Sequence, residues 1–135
     1  MIRRALLAAA LVPAALAATG CGGTKPYTAE GTAPCLREKG FTGVTTDPTR
    51  VGFIAGFAEN GGIKATSATG NVLTIAFAAD DASAASTRQA FRRHAPPAYR
   101  PHLNDVMHSQ RNAVLVWTIT PDPAQLADAE SCLHP

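Results

Sequence analysis

Aromatic residues are scarce in this 135-residue chain, at 6%, and only one is a tryptophan. Three cysteines are too few for a disulfide-dense scaffold. No basic run exceeds Arg92-Arg93, so the electrostatic footprint of a nucleic-acid binder is missing and no nucleic-acid partner is expected. The longest apolar run, 5–18, is broken by Pro13 and falls short of the ~20 residues that span a bilayer. Nucleophile-elbow, zincin, paired-cysteine and P-loop patterns do not occur. The expectation is a non-catalytic chain without a cofactor.

Alanine is abundant, with 27 residues, and arginine outnumbers lysine nine to three. That skew speaks of GC-rich codons and not of function. The apolar share, 46%, is enough for one folded domain at this length.

The N-terminus has the layout of an export signal. Arg3 and Arg4 precede the apolar run, which closes in Ala18-Thr19-Gly20-Cys21. This ending resembles the bacterial lipobox, in which small residues precede an obligatory cysteine. The resemblance implies a signal peptide over 1–20, cleavage before Cys21, and acylation of Cys21 with diacylglyceryl and palmitate-type chains. Leucine is usual in that family where Ala18 stands, and the alternative is an ordinary secretory cut after Ala15-Leu16-Ala17. Residues 21–31 then read as anchor cysteine and flexible tether, and 32–135 as a single domain. Removing Arg3 and Arg4 leaves ten basic residues against ten acidic ones. The mature chain is formally neutral, and the expected location is the extracytoplasmic face of the cell membrane.

An odd cysteine count in an exported protein calls for an explanation. Lipidation of Cys21 supplies it and leaves Cys35 and Cys132 to pair in an oxidising compartment. The alternative is two buried thiols.

Within 32–135 the spacing predicts a helix capped by Thr32, with Pro34 in its first turn and Gly40 at its end. A brief strand follows over 41–46. Asp47-Pro48 reads as cap and first turn of a helix through Val51, Ile54, Ala55 and Ala58, stopped by Gly61-Gly62. Strands over 63–69 and 72–78 form a hairpin about Gly70-Asn71. Asp80 or Asp81 caps a helix to about His94, 95–111 is a long loop with a turn near 103–107, and 113–120 is the strongest strand. Asp122-Pro123-Ala124-Gln125 opens a last helix. The fold class expected is α+β. Its core is a ferredoxin-like β-α-β-β-α-β plait, flanked by terminal helices joined through Cys35–Cys132.

The mature part also resembles small lipoproteins of high-GC actinobacteria, through the lipobox, the Cys35-Leu36 helix, the Val114-Leu115-Val116-Trp117 strand and the closing Cys132-Leu133 helix. That resemblance carries no activity with it. His94, His102 and His108 fall close together beside Asp105 and Met107, but their spacing fits no standard ligand motif. Asp80-Asp81 is explained by capping, and Trp117 by the core. Tyr99, with Arg100 and His102, is the candidate contact for a partner. The leading expectation is a membrane-anchored envelope module that binds a protein, glycan or lipid, or serves a structural role. The alternative is a small-molecule or metal-binding lipoprotein using the 95–111 loop. A concave apolar pocket under that loop favours the alternative, and a flat surface the first.

Overall fold

The structure, a computed structural model, describes residues 23–135. The signal segment and Cys21 lie outside the described residues. In chain order the elements are α1 (Ala29–Glu38), β1 (Thr42–Thr45), α2 (Phe53–Gly56), β2 (Gly62–Thr66) and β3 (Val72–Phe77). After them come α3 (Asp81–His94), a 3-10 turn (Arg100–His102), α4 (Leu103–Val106), β4 (Met107–Gln110), β5 (Ala113–Trp117) and α5 (Pro123–Ser131). The strands form one sheet in the order β1-β2-β3-β5-β4, with every neighbouring pair antiparallel.

The α+β class holds, but the plait does not. A plait needs two split crossovers, each with a helix joining parallel strands that flank a third. Only the second half has that form, since β3 and β4 both run antiparallel to β5, which lies between them. In the first half β1 pairs directly with β2, Thr42 opposite Thr66. The helix between them is a single turn. Asp47 spends its carboxylate on the amide and hydroxyl of Thr49, and Gly52 at φ 97° breaks the predicted 47–58 helix. The fifth strand, β4, was hidden in the predicted loop.

One face of the sheet carries the main core. Leu73, Ile75 and Phe77 of β3 alternate onto it, with Leu115 and Trp117 of β5 and Ile63 of β2. α1 and α5 cover this face. α1 presents Ala29, Ala33 and Leu36, a helical stripe, and α5 contributes Ala129 with Cys132 and Leu133 beyond its end. The α1 cap is Thr28, whose hydroxyl accepts from Gly31 N–H at 3.0 Å. The predicted cap, Thr32, is buried inside the helix, where its hydroxyl accepts from His134 N–H at 3.1 Å. Pro34 likewise lies inside the helix and not in a first turn. Asp122 and Gln125 form the expected capping box of α5. Cys35 and Cys132 are bonded, with Cα atoms 5.3 Å apart, and staple the first helix to the last.

α3 and α2 lie on the opposite face. α3 is capped by Asp80, whose carboxylate accepts from Ser83 N–H at 2.7 Å. That hydrogen bond holds the Asp80 carboxyl below its usual range. Its contribution is therefore complete above the unfolded value of 3.8 and fades as pH falls through the lower folded value. α3 buries little: Ala84 alone fully, with Phe91 the one large apolar side chain buried in part. Cover on this face concentrates at one end, over Ala76 and Val114.

The β4–β5 hairpin turns on Arg111 and Asn112. Arg111 sits at φ 52°, a conformation that favours glycine. Its side chain has a use there: the guanidinium donates to the carbonyls of Thr24 (3.3 Å) and Lys25 (2.9 Å) and lies 4.5 Å from the Tyr27 ring centroid. Asn112 is wholly buried and bonds to both backbone groups of Tyr27. The segment expected to be a free tether is thus held from Thr24 onward.

Candidate functional site

The α2/α3 face is covered unevenly, and the uncovered part is a groove. Thr74 and Val116 pair across β3 and β5 and point to this face, as do Ala76 and Val114. Ala76 and Val114 are fully buried beneath the helices, whereas Thr74 and Val116 are partly open. α2 is too short to reach over them, and α3 ends at His94.

The cavity left there is about 250 Å³. Val116, Trp117 and Thr118 at the end of β5 form its floor. Phe91 and His94 of α3 and Ile54 of α2 make one wall. The opposite wall is the segment predicted as a long loop: Ala95, Pro96 and Tyr99, then Leu103 and Val106 of α4. Leu103 and Val106 belong to the main core as well, so this wall is anchored and not a loose flap. The lining is apolar apart from His94, Tyr99 and Thr118. No carboxylate, thiol, lysine or arginine lines it.

Trp117 is buried in the core, its ring tilted against Phe41 at 6.3 Å, and it also borders the groove. Its indole Nε1 is the one buried side-chain nitrogen or oxygen without a hydrogen-bond partner among the described residues. A buried donor left unpaired costs ~1–3 kcal/mol.

The candidate contact residues sort themselves around this groove. Tyr99 lines it and stands partly exposed. His102 lines an adjoining hollow. Arg100 is on the surface, its Nε donating to the carbonyl of Ala95 at 3.2 Å. The three histidines do not converge: His94 faces the groove, His102 its neighbour, and His108 lies on β4 with its ring 3.2 Å from the carbonyl of Asp105. Among the described residues no group of three or more His, Cys, Asp or Glu side chains gathers as a metal site. Asp80 caps α3, leaving no paired-carboxylate role to assign. Ile54, Phe91, Leu103, Val106 and Val116 were not singled out by sequence, where each reads as an ordinary core position.

Comparison with protein-family models, curated proteins and solved structures gives no match in any of the three. The functional reading rests on the geometry.

Proposed function

We propose that this chain is a lipid-anchored, extracytoplasmic binding module whose groove takes a small apolar molecule. The observation that carries the reading is the open, apolar space between Val116 and the 95–106 wall. Ligand sites are characteristically concave and mostly apolar with a few polar groups, in volumes of ~300–1,000 Å³. At about 250 Å³ this groove falls just below that range, which suits a small ligand. It supports the small-molecule alternative over a purely flat docking or structural role. The reading is one of carriage or sensing, because the lining is almost wholly apolar, with His94, Tyr99 and Thr118 its few polar side chains.

The anchor rests on the Gly20-Cys21 motif. Protein recovered from membranes should begin at Cys21 and carry acyl mass, and Cys21→Ala should abolish both. An N-terminus at Ala18 without acyl mass refutes the anchor.

Trp117 is the chain's sole tryptophan, so its fluorescence reports on the groove directly. A compact quencher such as 4-bromophenol should quench it saturably. Val116→Phe places a ring in the open space without removing core atoms, and should weaken that binding at least about tenfold, equivalent to ~1.4 kcal/mol. Linear, unsaturable quenching that is the same in both proteins counts against the groove as a site.

A further inference from the structure

Four large apolar side chains stand exposed among the described residues: Phe53 (75%), Phe57 (79%), Tyr99 (43%) and Ile119 (67%). They divide between the two ends of the sheet. Tyr99 and Ile119 share a hollow beyond the last residue of β5. Phe53 and Phe57 belong to the α2 turn, with ring centroids 5.0 Å apart. An apolar residue exposed singly needs no explanation. Two phenylalanines held together on a helix of one turn do, since that helix fully buries only Ala55.

The end that holds this pair also holds the N-terminal arm. The side chains of Asn60 and Asn112 meet on one carbonyl, that of Ala78, at 2.8 Å and 2.9 Å. Arg111, the neighbour of Asn112, grips Thr24 and Lys25. The backbone carbonyl of Asn60 accepts from Ala29 N–H at 3.0 Å. Phe57 lies three residues before Asn60, at most ~10 Å of chain. Gly56, beside it, packs so closely on Pro48 that a β-carbon there would come within 2.4 Å of the Pro48 carbonyl oxygen. Pro48 in turn shares a hollow with Thr28 and Ala29. Ile119, by contrast, is separated from the Arg111 turn by the whole of β5.

The position of the arm argues for what meets this pair. Cys21 precedes Thr24 by three residues, so an acyl anchor there keeps the bilayer within ~10 Å of the first residue the fold holds. Area argues against a second copy. A phenylalanine buries ~150–250 Å², so the pair supplies at most ~500 Å², where each partner of a standard interface gives up ~800 Å². A bilayer asks for no shape match, and phenylalanine is among the residues that bury at its interface. Charge does not select an anionic surface: Lys25, Arg50 and Arg111 at this end are outnumbered by Glu30, Asp47, Glu59 and the Asp80-Asp81 pair.

We propose that Phe53 and Phe57 insert into the interfacial layer of the bilayer that anchors Cys21, and that this contact fixes which way the domain faces the membrane. This rests on the anchor reading above. Two rings hold a free protein only weakly. On a chain already tethered the contact is intramolecular and needs little affinity of its own.

The test uses protein purified from membranes and returned to phosphatidylcholine vesicles, with the N-terminal mass recorded on the same sample. In Phe57→Trp the introduced indole should be quenched by lipid carrying a nitroxide high on its acyl chain. In Ile119→Trp, at the far end, it should not be. Trp117, buried in the core, gives both variants the same background. Adding Phe53→Ser to Phe57→Trp should lower the inserted-to-free ratio about tenfold. Adding phosphatidylglycerol should not deepen the quenching. Acylated protein in which both introduced indoles are quenched alike, or neither is, overturns the insertion and spares the anchor. Deeper quenching with phosphatidylglycerol assigns the contact to headgroup charge and overturns the insertion too. Shielding that grows with the number of copies per vesicle points to a second copy, with the same consequence. Protein that begins elsewhere than Cys21 and carries no acyl chain overturns both readings, because nothing then brings this end to a bilayer.

Discussion

Cys35→Ser and Cys132→Ser are each expected to lower the unfolding free energy by ~2–5 kcal/mol, and the double variant by no more than either single one. The bridged residues are 97 positions apart, a loop to which the chain-entropy model assigns ~4–5 kcal/mol. The local setting points the same way. α1 has ten residues and α5 nine, both below the ~12–15 at which an isolated helix becomes even marginal in water. Each depends on docking against Leu73, Ile75 and Trp117, and the bridge holds both there at once. The Thr32–His134 hydrogen bonds involve neither cysteine, so in the variants they should keep the helices in register while docking loosens. Urea unfolding of the oxidised protein, the reduced protein and the three variants measures this. Reduced wild type should coincide with the variants. Equal midpoints for oxidised and reduced protein would refute it.

The second large effect is expected at Asn112. Its Nδ2 donates to the carbonyls of Tyr27 (2.8 Å) and Ala78 (2.9 Å), and its Oδ1 accepts from Tyr27 N–H at 2.8 Å. The residue is fully buried, so water cannot replace these bonds unless the hairpin opens. Asn112→Ala leaves both backbone groups of Tyr27 unpaired and should cost ~2–4 kcal/mol, since each orphaned group carries ~1–3 kcal/mol. Asn112→Asp keeps the acceptor but turns a carboxylate toward two carbonyls. Burial and those carbonyls raise its pKa, so its deficit should shrink as pH falls and the acid regains a donor. Chemical denaturation of both variants across pH separates the two cases. A deficit in Asn112→Asp that is flat with pH would contradict the hydrogen-bond geometry.

What the sequence announced was mostly chain direction. Asp80 and Asp122 mark their helix starts because a side-chain cap is a local interaction, written within three residues. The hairpin signal about Gly70-Asn71 placed β2 and β3, and cysteine arithmetic found the bridge. β4 escaped because Met107-His108-Ser109-Gln110 offers one apolar residue and three polar ones. An edge strand is kept polar to discourage further pairing, and that erases the signal that identifies strands. α2 misled for the opposite reason: Asp47-Pro48 has the composition of a helix start, while Gly52 decides that no long helix follows. The groove was legible only as a loop worth watching. Its residues are apolar like any core, and what makes them a site is missing cover, which no individual residue encodes. Tyr99 and His102 could be picked out because they interrupt that apolar background.

Under the proposed anchor, the grip of Arg111 on Thr24 and Lys25 would set how far this domain can work from the membrane. With an acyl anchor at Cys21, only three peptide units separate the bilayer from the first residue that the fold holds. Chain geometry limits such an arm to ~10 Å. From the Arg111 turn, β5 carries the chain only five residues, to Trp117, a further ~15 Å at strand rise. The working radius is therefore about the thickness of one small domain. If Cys21 carries the proposed acyl anchor, a module leashed this closely reaches only what lies at the membrane surface beneath it.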